Sequence, residues 1–365
     1  MTFKSTSGNS DIKTRPTSAR SFNRLKLAAV VLTLFGIGLF GYLVYVVGFR
    51  DIYDGIVRFG FAGFAVILSI YFVRIFARSF AWKLSVHEPY SLGLKDTIPA
   101  VVIGEAMSST IPLGILISGT SKAVAVRQRI PLVAGLSSVA TENLFYSLVT
   151  GIYLILGAAV LLRSFAVDET QVIAINVLIV SVSILLAVGI LMVVRQWHFA
   201  SEICEWLYRK GFLRKLLENG RLDVRLFENL IYGFYRRHPR RFVPICLLEA
   251  AYHTLGIAEV WYILGRLSDA SPSLMTAFLM ESVSRLVTII FKLVPFNMGV
   301  DEAGAQFVGQ TVALAAGVGV TLAIIRKGRI LFWTAIGWLL IAKRGLSFRE
   351  FTTHGNNKRR PEDRP

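Results

Sequence analysis

Ionisable side chains stand inside stretches of this sequence that are otherwise apolar, and their spacing is ordered. Arg74 and Arg78 lie four apart, on one face of a helix; Glu281 and Arg285 repeat that spacing with opposite signs, and Lys292 lies seven beyond Arg285. Glu105, Glu142, Glu249, His253 and Glu259 also fall within apolar stretches, while Arg326, Lys327 and Arg329 interrupt the last one. Such groups are costly in hydrocarbon unless they face one another or a cavity. Taken singly, each has a plainer role: an arginine snorkels to an interface, an i,i+4 pair neutralises itself, and His253 hydrogen-bonds a neighbour. Taken together, mixed signs at mid-span positions are the pattern of a site for a polar solute at the bilayer midplane. Two Pro/Gly-broken segments, IPLG at 111–114 and VPFNMG at 294–299, would add free backbone groups and helix-dipole charge. The substrate-binding set is therefore expected to comprise Arg74, Arg78, Glu105, Glu142, Glu281, Arg285, Lys292, Pro295, Gly299, Asp301, Glu302, Arg326 and Arg329. Cys204 and Cys246 form no CxxC pair, and no metal, cofactor or catalytic residue is expected.

The elements that must position these groups follow from composition. The chain has 365 residues, 54% hydrophobic and 17% charged, and a mean hydropathy of +0.58. That excludes a soluble enzyme and a disordered chain, and two cysteines exclude a disulfide scaffold. Forty Lys and Arg against 23 Asp and Glu give a net charge of +17, but the basic residues flank apolar runs rather than marking a nucleic-acid surface. Leu27–Phe49 is an uncharged run of 23 residues, long enough to span and too long for a signal h-region. Further stretches cover 59–82, 97–117, 132–162, 171–194, 242–264, 274–296 and 304–342, the last long enough for more than one element. Arg326-Lys327-Gly328-Arg329 could divide it as a short outer loop.

Eleven basic residues in Arg195–Arg241 place that segment in the cytoplasm, with both termini. Short loops at 50–58, 163–170 and 267–274 hold few and belong outside. Parity then requires 97–117, broken by Pro112 and Gly114, to enter and return on the cytoplasmic side. The expected fold is an all-α, polytopic integral membrane protein of the inner (cell) membrane, with about six full crossings and two re-entrant hairpins, roughly eight membrane elements. Residues 1–26 form a basic cytoplasmic tail, 27–345 the membrane domain with 195–241 as a basic insertion, and 346–365 a cytoplasmic tail. The interleaved aromatic and basic residues of 206–241 suit either anionic lipid at the cytoplasmic face or a solvated loop.

Laid on itself with an offset of about 180 residues, the chain places 59–82 on 239–262, Pro112 near Pro295, Glu105 on Arg285, and Lys122 on Glu302. After a six-residue slip, 132–156 falls near 318–342, and 27–49 corresponds to 171–194. Three crossings and a hairpin per half would set the second half upside down, an inverted-topology repeat with its second hairpin, 275–315, opening outward. Chance similarity between apolar, Gly-rich segments is the alternative.

The stretch VPFNMGVDEAGAQF, preceded by ESVSRLVTIIFK and matched upstream by GEAMSSTIPLG and SGTSKAV, resembles the lysylphosphatidylglycerol synthase transmembrane (flippase-like) family over about residues 25–345. The family's turn motif carries over to Pro295, Gly299, Val300, Glu302 and Ala303. Asn297-Met298-Gly299-Val300 replaces a common Gly-Gly-Leu-Gly run, and Asn143 follows Glu142 where many members have Arg, which leaves the substrate open. The resemblance implies a translocating unit without the aminoacyltransferase domain of two-domain members. The expected function is translocation of a lipid with an anionic or zwitterionic headgroup, with Arg285, Glu302, Glu105 and Glu142 replacing headgroup hydration. Two alternatives remain: a membrane glycosyltransferase-type enzyme using Asp51 and Asp54 as base or metal ligands, and a non-catalytic partner of a lipid-modifying enzyme. Expected partners are membrane lipids, with a homo-oligomer or a lipid-biosynthesis enzyme as further candidates, and no nucleic acid.

Overall fold

The architecture is that of a computed structural model, which describes residues 34–344 apart from 36, 111–113, 166–167, 211–213, 269–272, 292–293, 313 and 316. The side chains of 114–116, 214–221, 223 and 295 lie outside the description too. The expectations for the tails 1–26 and 346–365, for Pro112 and for Lys292 fall outside the described residues. Every regular element described is helical: α1 (Ile37–Val47), α2 (Phe49–Leu84), α3 (Leu94–Thr110), α4 (Gly114–Ala125), α5 (Leu132–Ser164), α6 (Glu169–Arg195), α7 (Phe199–Arg209), α8 (Arg214–Arg237), α9 (Phe242–Leu267), α10 (Leu274–Ile290), α11 (Val300–Thr311) and α12 (Val318–Lys343). Among the described residues, four helical stretches are long and apolar enough to cross a membrane: α2, α5, α6 and Pro239–Leu267. The 26-residue α12 is long enough, but its mid-helix basic residues lower its hydropathy.

The helices α4 and α11, of 12 residues each, rise only about 18 Å, short of a hydrocarbon core of about 30 Å. Each packs back on the 17-residue helix before it, α4 on α3 and α11 on α10, making two helical hairpins, the first with arms over 94–125 rather than the expected 97–117 and the second over 274–311, close to the expected 275–315. The last apolar stretch resolves into a hairpin arm and one long helix. Arg326-Lys327-Gly328-Arg329 is thus no loop, since its three charges find buried partners and the helix runs through.

The expected loop at 50–58 is helical as well. Gly48 (φ +97°) and Gly60 (φ +68°) absorb the bends on either side, in a region of φ that glycine enters without steric cost. Between them Ile52 and Phe59, seven apart and so on one face, are buried.

Packing obeys an exchange of halves. In order, α2 to α5 have 36, 17, 12 and 33 residues, and α9 to α12 have 26, 17, 12 and 26. Helix α3 packs on α12 as α10 packs on α5, α2 meets α12 as α9 meets α5, and α2 and α9 make the central pair. Those two run antiparallel: Gly55 at the start of α2 faces Leu267 at the end of α9, while Ala81 and Ile245 share a core cluster at the other end.

The two ends of the bundle differ in charge. One gathers the end of α2, the start of α3 and the ends of α4 and α12, tied by Arg129 to Asp96 (3.5 Å), Arg344 to the Ala125 carbonyl (3.1 Å) and Arg241 to the Leu84 and Val86 carbonyls (3.4 and 3.3 Å). Lys83, Lys95, Arg127, Arg236, Arg237 and Arg240 cluster there. At the same end the rings of Phe145, Phe234, Tyr235 and Phe242 dock α8 onto α5 and α9. His87 lies edge-on to Phe234, and burial pushes its imidazole down to about 4, helped by nearby His238.

Two outcomes follow from this packing. At Gly337 an added Cβ would collide with Ala106 and the Val102 carbonyl of α3, so Gly337→Val should cost about 1–3 kcal/mol, read as a lower melting midpoint in detergent. The unfolded chain binds a proton at His87 near pH 6.5 and the folded protein only near pH 4, so stability should be lost as pH falls through that window. Melting midpoints measured from pH 7 to pH 4 should fall less for His87→Phe than for the parent.

Candidate functional site

Two buried carboxylates organise the centre of the bundle. Arg74 of α2 donates from Nη1 to Glu259 Oε2 of α9 (2.9 Å) and from Nη2 to Glu281 Oε1 of α10 (3.4 Å), and all three side chains are fully buried. Glu281 also accepts from Arg285 (2.7 Å) and from Arg326 of α12 (2.6 Å). Glu259 accepts from Arg329 and lies 3.7 Å from Arg326 Nε. Four guanidiniums therefore converge on two carboxylates, and tyrosine faces take up part of the excess. Arg329 stacks 4.0 Å from the Tyr71 ring centre, and Arg74 and Arg285 lie 4.4 and 5.2 Å from that of Tyr252. The Tyr71 hydroxyl donates to Glu105 on the first hairpin (2.9 Å).

A second group sits one turn along α2. Arg78 donates to Glu142 of α5 (2.9 Å) and Asn143 (3.3 Å) and lies over Tyr146 (4.4 Å), with Lys122 of α4 3.6 Å from the other Glu142 oxygen. A third pins the second hairpin: Lys327 of α12 pairs with Glu302 of α11 at 2.6 Å, and Glu302 accepts from the Gly299 N–H at 2.8 Å. Gly299 stands at φ +81°, where a side chain would be strained. Lys122–Glu142 and Glu302–Lys327 tie each hairpin to the helix that follows it, with the charges exchanged between halves.

These groups border a cavity of about 1090 Å³ that runs from the hairpin turns toward the basic end. Its polar side is formed by Arg78, Glu105, Arg285, Asp301, Arg326 and Arg329 with Tyr71, Tyr252, Asn143 and Asn297. Opposite lies an apolar side from α5 and α6, including Leu154, Leu178, Val182, Leu185, Leu186 and Ile190. A polar solute with an apolar remainder fits that division.

Six of the residues expected from sequence line the cavity, and Arg74, Glu142, Glu281 and Glu302 stand behind that lining as its buried counter-charges. Gly299 shapes the second hairpin turn. The backbone of Pro295 lies in that turn, its side chain is outside the description, and Lys292 lies outside the described residues. Glu259, Lys122 and Lys327 belong with the set although they were not in the expected group; a charge in an apolar helix is itself the signal that finds them. Tyr71, Tyr146 and Tyr252 carry no such signal beyond lying three residues before Arg74, four after Glu142 and three after Glu249. His253 has a structural place, 3.0 Å from Thr150 Oγ1. Asp51 and Asp54 are exposed on the first turns of α2 and do not line the cavity.

Compared with known proteins, residues 26–337 match the family model described as the Lysylphosphatidylglycerol synthase TM region. No curated protein and no solved structure matches.

Removing one partner of a buried network strands the rest. Glu281→Ala leaves Arg74, Arg285 and Arg326 short of a carboxylate and should cost about 3–5 kcal/mol, seen as loss of the folded peak in detergent chromatography. Glu205→Ala, at the exposed pair with Arg209, should change stability by less than about 1 kcal/mol in the same assay.

Proposed function

From the premise that this chain belongs to the lysylphosphatidylglycerol synthase transmembrane family, we propose that it carries the polar headgroup of a membrane lipid between leaflets. The observation that carries this reading is the two-sided cavity, with guanidiniums, carboxylates and tyrosines on one wall and aliphatic side chains on the other. A headgroup entering it exchanges water for Arg78, Arg285, Arg326 and Asn143, while acyl chains meet the wall from α5 and α6. Ligand pockets of several hundred Å³ normally bury most of a small ligand, so about 1090 Å³ suits a headgroup with the first part of its chains.

The exchange of halves supports alternating access. The equivalent helices α2 and α9 run antiparallel, so an axis relating them lies across the helices and, for spanning helices, in the membrane plane. In that inverted-topology reading both hairpins are re-entrant, with hairpin turns from opposite sides meeting at the cavity. In this reading the end of the bundle rich in Lys and Arg is the cytoplasmic one, with both termini and α7–α8 on that side. The expected membrane is the inner membrane of the cell. The exposure of Asp51 and Asp54 away from the cavity favours translocation over an enzymatic role for those two residues.

The test is leaflet exchange of fluorescent phospholipids by the full-length protein in liposomes. Arg285→Ala removes one charge-assisted contact to the headgroup together with one partner of Glu281; in protein that keeps its folded peak in detergent chromatography it should slow exchange about 10- to 100-fold, whereas Asp51→Asn with Asp54→Asn should leave it near the parent rate. Exchange unaltered by Arg285→Ala would overturn the site assignment. A cysteine at position 127, past the end of α4, should label only from the cytoplasmic side and one at 274, at the start of α10 and away from the cavity, only from the other; labelling of both from one side excludes the inverted repeat.

A further inference from the structure

Among the buried acids of this bundle, Glu249 is set apart. It is fully buried in α9, no N–H or hydroxyl donates to either carboxyl oxygen, and its side chain lies within hydrogen-bond reach of the Glu142 carboxylate. Glu142, Glu259, Glu281 and Glu302 each have a cation within 4 Å, and none stands that close to Glu249 among the described residues. Cys246 and Tyr252, three residues to either side of it and so on its own face of the helix, both line the cavity. An unpaired carboxylate at such a place carries a large desolvation cost that the uncharged acid does not.

The groups that face it come from several elements. Arg78 on α2, Lys122 on α4, and Glu142 and Tyr146 on α5 interact with it across the interior, and Cys246 does so along α9. Helices α10 and α12 turn their charges, Glu281, Arg285, Arg326 and Arg329, into the neighbouring cluster on Glu259 and Glu281. The local balance is then simple. Arg78 and Lys122 oppose Glu142 alone while Glu249 is an acid, leaving one positive charge over; they are fully offset once Glu249 is a carboxylate.

We propose that Glu249 is a proton-binding site coupled to an anionic headgroup on Arg78. This rests on the translocation reading above and adds its second ligand. A proton taken from the aqueous side that the cavity faces leaves the surplus charge of Arg78 for the anion; when the headgroup leaves on the other side, the carboxylate of Glu249 replaces it as counter-charge and the proton leaves too. Proton and anionic lipid thus occupy the site together and travel in the same direction.

The experiment uses the full-length protein in phosphatidylcholine vesicles with fluorescent phosphatidylglycerol, over a range of pH. Parent exchange should fall about tenfold per pH unit on the alkaline limb, as one proton per cycle requires, while Glu249→Gln, which mimics the acid, should exchange at a rate flat in pH. A parent rate independent of pH, or a Glu249→Gln rate that follows the parent's pH dependence, overturns the proposal. Infrared difference spectra of the parent between acid and alkaline pH give a readout without transport. They should contain the carbonyl stretch of a protonated carboxyl that Glu249→Gln lacks; its absence from the parent overturns the proton site. Vesicles in which no lipid moves, with that band present, would refute the translocation reading and leave the proton site standing.

Discussion

Everything in this bundle is arranged around the requirement that a charge taken out of water meet its opposite. Arg74 cannot be fully buried in α2 unless Glu259 and Glu281 reach it from α9 and α10, and those carboxylates hold their places only because Arg285, Arg326 and Arg329 close the other sides. The ion pairs therefore fix the register of four helices at once. In a membrane the apolar surfaces of helices gain little by meeting each other rather than lipid, so such polar contacts and close glycine packing, as at Gly337 against α3, carry more of the specificity than they would in water.

The same requirement explains why the two halves carry opposite signs. A short hairpin helix gains a fixed place when it is tied to the longer helix that follows it, and an ion pair does so in either polarity: Lys122 to Glu142 in one half, Glu302 to Lys327 in the other. Reversed polarity also keeps the halves from exchanging partners, since like charges would then face each other. The family to which the chain belongs and the two-sided cavity are two independent reasons to expect a lipid-related role.

Much of this was legible in the residues themselves. The i,i+4 spacing of Arg74 and Arg78, the Pro/Gly breaks and the 180-residue offset anticipated the shared helix face, the two hairpins and the matching starts of α3 and α10 at Leu94 and Leu274. The partners were not legible. Arg74 meets Glu259 and Glu281 across 185 and 207 residues, and no local pattern says which distant carboxylate an arginine will find. Tyrosines 71, 146 and 252 were silent for another reason: in an apolar helix an aromatic ring reads as lipid-facing until a guanidinium is seen stacked on it. The helical start of α2 escaped because polar residues after a glycine resemble a loop, and only the burial of Ile52 and Phe59 shows which face turns inward.

The helix α6 has no buried residue and packs chiefly on α5, yet six of its residues from Leu178 to Ile190 border the cavity. That wall is less a barrier than a curtain hung from one rail. Drawing it aside would break contacts chiefly with α5 and would open the chamber sideways rather than along the helices. For a lipid, under the translocation proposed above, such an entrance would keep the tails in hydrocarbon throughout, like a card drawn through a reader, and only the headgroup would exchange its surroundings. On that proposal the work asked of the protein shrinks, from carrying an entire amphiphile through water to replacing the hydration shell of one small polar group.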